Sequence, residues 1–417
     1  MIVKIKGNKI WFSAVAVLFV VTIITTVIHL TSIKNTTETF SNNISSGNSK
    51  NAVTLSEKRI SKFTEIKNMR GVWVPYMSLE TEQHTEESFK NNFDNIVKTA
   101  TSNKLNTLIV HVRPFADALY KSDIFPTSHI VAETQGDNIN FDPMEYMIKE
   151  CHNNNLKFHA WVNPYRISTN ETPSQLSDDN IIYSLSDDDI LTYDGGKYIN
   201  PCSIKGRQFI IDGVKEIVKN YDIDGLQFDD YFYPSADTSL DQSSYENYLS
   251  TLDGECAELS HTQWRKTNVN ILISSTYSAI KNIKPNLLFG VSPQGNIDNC
   301  LEIGADVNTW CENYGYMDYI CPQMYVNFEH SVLPFDEMFS DWKELTVTNK
   351  VSLFVGLALY KAGSDSDEGT WQNKDDILKS EVEYCKKNGI DNFIIYDIDY
   401  FNNEDTSEEV KNVISLF

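Results

Sequence analysis

The segment DGLQFDDYFYP at residues 224–234 sets two carboxylates, Asp229 and Asp230, between an apolar run and an aromatic-proline stretch. Hydrolysis of a glycosidic bond asks for two carboxyl groups, one to protonate the leaving oxygen and one to act as base or nucleophile. Adjacent residues point to opposite faces for as long as a strand continues. Asp229 is therefore the inward residue of the strand, and Asp230 joins it only where the chain turns, which Tyr231-Phe232-Tyr233-Pro234 permits. A further carboxylate is expected across the cleft from Asp397, Asp117 or Glu329, with an ion pair to Arg113 as the alternative role of Asp117 or Asp229. His111, His159 and Asp229 would suit a divalent ion as a two-His-one-carboxylate set. The first strand, however, lacks an H-x-H pair and the chain has no H-E-x-x-H, so neither a metal nor a cofactor is expected. A G-x-S-x-G nucleophile motif is absent too.

Short β-rich runs at 71–75, 107–113, 157–163, 225–229, 287–293, 319–325, 352–359 and 392–398 alternate with helical segments at 85–103, 143–154, 204–220, 245–283 and 374–388. That alternation predicts a parallel sheet, and eight strands over about 350 residues predict a (β/α)8 TIM barrel of the α/β class. An open doubly wound sheet would carry a Gly-rich turn after its first strand, where this chain reads VPYMSLE. In a barrel, functional side chains come from the C-terminal strand ends. Val110 and Val112 share one face and His111 and Arg113 the other; Phe158, Ala160 and Val162 oppose His159, Trp161 and Asn163. The same parity sends Gln227 and Asp229, Ser292 and Gln294, Gln323 and Tyr325, and Asp397 and Asp399 inward. The predicted mouth thus holds acids, amides, Arg113 and the rings of Trp161, Tyr165, Tyr231, Tyr233, Tyr325 and Trp73. Carboxylates and amides suit sugar hydroxyls, and rings suit sugar faces.

The chain has 417 residues and a formal net charge of -23. Residues 1–69 carry +6 and the remainder -29, which excludes a nucleic-acid-binding face on the C-terminal domain. Ile10 to Leu30 is uncharged over 21 residues, enough for a bilayer core, and follows Lys4, Lys6 and Lys9. The expectation is a basic cytoplasmic tail at 1–9, a single-pass transmembrane signal anchor at 10–30, a flexible Asn/Ser/Thr-rich linker at 31–67 and an extracellular barrel at 68–417. Seven cysteines are scattered without a C-x-x-C pair and read mostly as small buried hydrophobes.

The motifs RGVWVPY (70–76), HVRPFADALYKSDIFP (111–126), FDPMEYMIKECHNNNLKFHAWVNPYRIS (141–168), the 198–234 segment ending in DGLQFDDYFYP, FGVSPQGN (289–296) and DYICPQMYVNFE (318–329) run in order through the C-terminal domain. On these the chain resembles the glycosyl-hydrolase-like family 10 barrel proteins, formerly a domain of unknown function. The resemblance implies a (β/α)8 barrel acting on bacterial cell-envelope glycan, with peptidoglycan strands lacking stem peptides as the substrate of at least one relative. It also implies a polar cluster at Arg113, Asp117, Asn163, Tyr165, Arg166, Asp229, Asp230, Tyr231, Gln323 and Tyr325. Ala116 and Cys202 stand where the family usually has glycine, which bears on loop shape near the mouth. Strand four is similar to the chitinase pattern D-G-x-D-x-D-x-E, but Gln227 and Tyr231 replace its middle Asp and its Glu, so substrate-assisted chemistry does not carry over.

The expected function is a membrane-anchored glycoside hydrolase of cell-wall glycan. Asp229 and Asp230 would be catalytic, with Arg113, Asp117, Trp161, Asn163, Tyr165, Arg166, Tyr231, Gln323, Tyr325 and Asp397 binding substrate. The alternatives are a hydrolase of another envelope polysaccharide and a non-catalytic barrel that only binds wall glycan.

Overall fold

The computed structural model describes residues 67–252, 257–348 and 350–417. The basic tail, the transmembrane anchor and all but the last residue of the linker expected at 1–67 lie outside the described residues. Among the described residues no helix is long and apolar enough to cross a membrane.

Eight parallel runs form the sheet: β1 (Arg70–Val74), β2 (Thr107–Arg113), β3 (Lys157–Val162), β4 (Gly225–Phe228), β5 (Leu288–Val291), β6 (Tyr319–Ile320), β7 (Ser352–Leu353 and Val355–Ala358) and β8 (Phe393–Tyr396). Each of β1 to β6 pairs with the next in the chain, and β8 pairs with β1. The two halves of β7 form the opposite ends of the sheet: Ser352–Leu353 pairs with β6 and Val355–Ala358 with β8. Between them Phe354 donates its N–H to the Ile320 carbonyl at 2.8 Å, which brings the ends together in a near-closed TIM-like barrel flanked by helices. All strands run one way, so their C-terminal ends gather at one mouth.

The helices have the apolar stripe that packs against such a sheet. Glu86–Ser102 buries Phe89, Phe93, Ile96 and Val97, and its first turn is closed by a Thr85/Ser88 capping box. Ile204–Asn220 buries Ile210, Val214, Ile217 and Val218. The single helix expected at 245–283 is instead two, Gln242–Ser250 and His261–Ile283. Ser260 and Gln263 form a capping box that starts the second. That S-x-x-Q signature gives the orphan N–H groups a partner and makes a fresh start cheap.

Two apolar clusters confirm which face of each strand is which. Val110, Val112, Phe158, Ala160, Val162, Leu226 and Phe228 belong to the large layer shared with the helices. Trp73, Ile109, Trp161, Tyr319, Cys321, Phe354 and Ile394 form a separate cluster within the barrel. Glycines make room for that inner cluster. A Cβ on Gly225 would stand 2.5 Å from the His159 ring, and one on Gly290 would stand 2.1 Å from the Tyr319 ring. The rings cross the barrel beneath the mouth and are tied by polar contacts. Trp73 Nε1–H donates to Gln227 Oε1 at 2.7 Å, Gln227 Nε2 donates to the Tyr319 hydroxyl at 3.2 Å, and His159 Nδ1 lies 3.2 Å from the same oxygen. Gly290→Ala forces the Tyr319 ring off its seat. We expect a loss of about 1–3 kcal/mol of stability, the usual range for overpacking, read from denaturant midpoints.

Candidate active site

A cleft of about 380 Å³ opens at the C-terminal mouth. Its walls come from strand ends in turn: Trp73 from β1 and Pro75 just after it, His111 from β2, Trp161 from β3, Asp229 and Asp230 after β4 and Ser292 after β5. Gln323 and Tyr325 follow β6, Tyr360 follows β7, and Tyr396 closes β8. Strand β4 ends at Phe228, so the alternation stops there and Asp230 turns into the cleft beside Asp229.

The two carboxyl groups are held differently. Asp229 is buried at 4% exposure, accepting from Trp161 Nε1–H at 2.9 Å and from the Tyr231 N–H at 3.4 Å. Asp230 is partly exposed and accepts from Gln323 Nε2 at 3.1 Å, and Gln294 also hydrogen-bonds to it. Burial first, and then the neighbouring Asp230 charge, pushes Asp229 up to about 7. Burial raises Asp230 as well. Two like charges in one poorly solvated cleft resist double ionisation, so the pair keeps a proton near neutrality.

Arg166 is the cation of this cleft. It follows β3 in the short strand Arg166–Ser168, lines the cleft, and its Nε–H donates to the Pro114 carbonyl at 3.0 Å. Its guanidinium lies 4.6 Å from the Phe115 ring centre, 5.1 Å from that of Tyr231 and 5.8 Å from that of Tyr76. Its positive charge lowers the pKa of both Asp229 and Asp230, opposing the burial effect.

Of the residues singled out from sequence, Asp229, Asp230, Trp161, Arg166, Tyr231, Gln323 and Tyr325 meet in the cleft. Arg113, Asp117, Asn163, Tyr165 and Asp397 do not line it. The inward placement of Arg113 is corrected by an irregularity in β2. The register pairs His111 with Trp161 but Arg113 with Val162, so one residue is bulged and Arg113 moves to the outer face. There it is 1% exposed, stacks 4.8 Å from the Phe125 ring centre, and donates to the Asn163 and Pro164 carbonyls at 2.6 Å each. Asp117 lies wholly buried in the loop after β2, accepting from the Phe115 N–H and from Gln135 Nε2, which removes it as a partner acid. Asn163 is buried and accepts from the Arg166 N–H, and Tyr165 is buried in the outer core, because the chain folds back over β3 at this point.

The parity that sent Asp397 inward does not reach it, because β8 ends at Tyr396. Ile394 belongs to the inner cluster and Tyr396 packs on it, while Asp397 caps the following turn by accepting from the Asp399 N–H and does not line the cleft. Glu329 pairs with Lys374 at 2.5 Å. Of the five acids weighed, the cleft therefore takes only Asp229 and Asp230. Among the described residues no three His, Cys, Asp or Glu side chains are grouped to hold a metal ion.

Several cleft residues were not singled out as binding residues. His111 stacks on Trp161 with centroids 3.8 Å apart, lines the cleft, and has both ring nitrogens unpartnered. Burial holds its pKa well below the usual histidine range, leaving a neutral ring with an open donor and an open acceptor. Ser292 likewise lines the cleft with its hydroxyl unpartnered. Parity alone signalled both, since each was on the inward face. Tyr360 and Tyr396 join Trp73 and Tyr325 in an aromatic wall, with Tyr325–Tyr396 and Tyr360–Tyr396 centroids both 5.8 Å apart.

The match to a family model decides the relationship. Residues 68–375 fit the model described as Glycosyl hydrolase-like 10. The chain belongs to this family. Curated relatives agree with it. Over 328 residues the chain is 33% identical to "Glycosyl hydrolase YngK" of Bacillus subtilis, covering 74% of this chain and 62% of that protein. Over 335 residues it is 31% identical to "Glycosyl hydrolase DigH" of Escherichia coli, covering 73% of this chain and 75% of that one. The chain thus spans less than two thirds of the Bacillus relative. Among solved structures, the glycoside hydrolase domain of PgaB (BpsB) from Bordetella bronchiseptica superposes with a TM-score of 0.54 at 12% identity, over 84% of this chain and 99% of that one. The catalytic domain of a Paenibacillus polymyxa β-amylase gives 0.54 at 11% identity, over 83% and 97%. At these identities the likeness concerns the fold.

Proposed function

We propose that the glycosyl hydrolase-like 10 barrel hydrolyses β-linked amino-sugar glycan, with peptidoglycan strands as its substrate. The observation that carries this reading is the placing of Asp229 and Asp230 together in an aromatic-walled cleft at the barrel mouth. Asp229, whose proton is retained near neutrality, protonates the glycosidic oxygen as the bond breaks. Asp230, more exposed and steered by Gln323, presents the carboxylate to the anomeric carbon or to the attacking water. Arg166, His111 and Ser292 hold sugar hydroxyls, and the Trp73, Tyr325 and Tyr396 wall takes a sugar face. Residues 10–30 anchor the chain and residues 31–67 tether the barrel outside the cell, within reach of the wall; the uncharged run behind Lys4, Lys6 and Lys9 supports that placement.

Incubating the purified full-length protein with wall sacculi, intact and stripped of stem peptides, tests the proposal. New reducing ends are expected, and retention on the glycan without any product would leave a binding protein instead.

The pair also predicts a pH profile. Activity needs one proton on the pair, so kcat/KM falls above about pH 7 as Asp229 loses it and falls in acid as Asp230 gains one. Asp230 raises Asp229, so Asp230→Asn moves the basic limb of the residual activity to lower pH. An unmoved basic limb would show that Asp229 is not the titrating acid.

A further inference from the structure

Beyond the cleft, the chain after β3 builds a three-stranded antiparallel sheet in the order Arg166–Ser168, Gly196–Ile199, Ile190–Tyr193. Arg166 stands opposite Tyr198 and Leu191 opposite Tyr198 in its register, so these side chains share a face. Tyr193, two residues beyond Leu191 and opposite Gly196, shares it too. Asp194 and Gly195, at φ of +47° and +74°, make the two-residue turn that fixes this hairpin. A Cβ on Gly196 would stand 3.2 Å from Tyr198 Cε2 and 3.0 Å from its hydroxyl, so the Tyr198 ring lies along the face over Gly196, toward Tyr193. Arg166 is itself a wall of the cleft, and Tyr198 is near enough to Tyr231 to act on its pKa. Tyr231 and Tyr193 are 43% and 41% exposed, unlike most rings among the described residues. A row of tyrosines therefore leads from Asp230 through Tyr231 and Tyr198 to Tyr193.

We propose that the Arg166–Tyr198–Tyr193 face is a remote saccharide platform, binding sugar units of a long glycan beyond those at the acid pair. The proposal rests on the glycosidase reading and adds to it sugar-binding positions beyond the acid pair, so that long strands are held better than short oligomers. The exposed Tyr193 ring and the half-buried Tyr198 ring on a rigid sheet face, continued by the exposed Tyr231, match the apolar faces of successive pyranose units, and the neighbouring Arg166 and Asp194 supply partners for hydroxyls. Continuity with the cleft is what sets this patch apart from exposed rings elsewhere, such as Tyr314, which need no ligand.

Tyr193→Ala and Tyr198→Ala in the full-length protein, assayed on long stem-free glycan strands and on short oligomers of the same repeat, test the platform. Each variant is expected to raise KM for long strands by about five- to tenfold with little change in kcat, lowering the ratio of long-strand to short-oligomer efficiency. An equal loss on both lengths, or a wild-type ratio, overturns the proposal. Retention of long strands by the same variants in an Asp229→Asn background is measured in parallel. If the wild type cleaves nothing, the glycosidase reading fails alone, and undiminished retention would then overturn the platform separately.

Discussion

Asp229→Asn and Asp230→Asn are each expected to lower kcat/KM by about 10²- to 10⁴-fold, the range for losing a positioned acid or base. The isosteric amide keeps an oxygen for Trp161 Nε1–H at position 229 and for Gln323 Nε2 at position 230, so the cleft keeps its shape. Stability should move the other way for Asp229→Asn. The folded pKa of Asp229 is raised to about 7 by burial and by Asp230, so its ionised form opposes folding wherever the unfolded carboxyl is charged. That penalty begins above the unfolded value near 4, grows with pH, and is complete above about 7. A neutral amide removes it. At pH 8 the Asp229→Asn variant should unfold at an equal or higher temperature than the wild type while its turnover collapses. Lost activity with a lower melting temperature would instead identify Asp229 as a structural residue.

Two arginines that look alike in the sequence should fail in different ways. Arg166→Ala takes away a preorganised charge from the cleft and is expected to cost about 10²-fold in kcat/KM. Because Arg166 lowers both acids, its loss raises them, and the basic limb of the pH profile shifts to higher pH, opposite in sign to the Asp230→Asn shift. Arg166→Lys keeps the charge but not the planar contact with Phe115 and Tyr231, and should rescue the pH limb better than the rate. Arg113→Ala acts on the fold. It strands the Asn163 and Pro164 carbonyls and empties the space over Phe125 in a fully buried layer, for an expected loss of about 3 kcal/mol. Denaturant melts and pH profiles on the two alanine variants separate these outcomes; an activity loss in Arg113→Ala at unchanged stability would return Arg113 to the site.

The contrast between the arginines also marks where the sequence was legible. Strand alternation gave the barrel and the inward set of His111, Trp161 and Gln227, which lie on regular strand with an aliphatic neighbour facing the helices, and it still held for Ser292 and Gln323 just past their strand ends. It failed at Arg113, where one bulged residue reverses the faces while leaving the hydrophobic pattern intact. It failed at Asp397 because the inward series of β8 is Ile394 and Tyr396, and the acid already belongs to the turn beyond. Asn163 and Tyr165 follow the end of β3, where period-two reasoning no longer applies. The hairpin that carries Tyr193 and Tyr198 had a readable signal, Asp194-Gly195 between β-rich runs, but its position over the cleft depends on tertiary packing. Family resemblance pointed to Arg166, which alternation had no means of finding. The meeting of Asp229 and Asp230 in one cleft hung on a strand end at Phe228, and the structure puts it there.

The decisive measurement is the appearance of reducing ends when the full-length protein meets glycan strands stripped of stem peptides, followed beside its Asp229→Asn and Asp230→Asn variants. Time-dependent release by the wild type, abolished in both variants while both still bind the strands, is the predicted result. Release that persists undiminished in both variants would contradict the assignment of Asp229 and Asp230 as the acid/base pair.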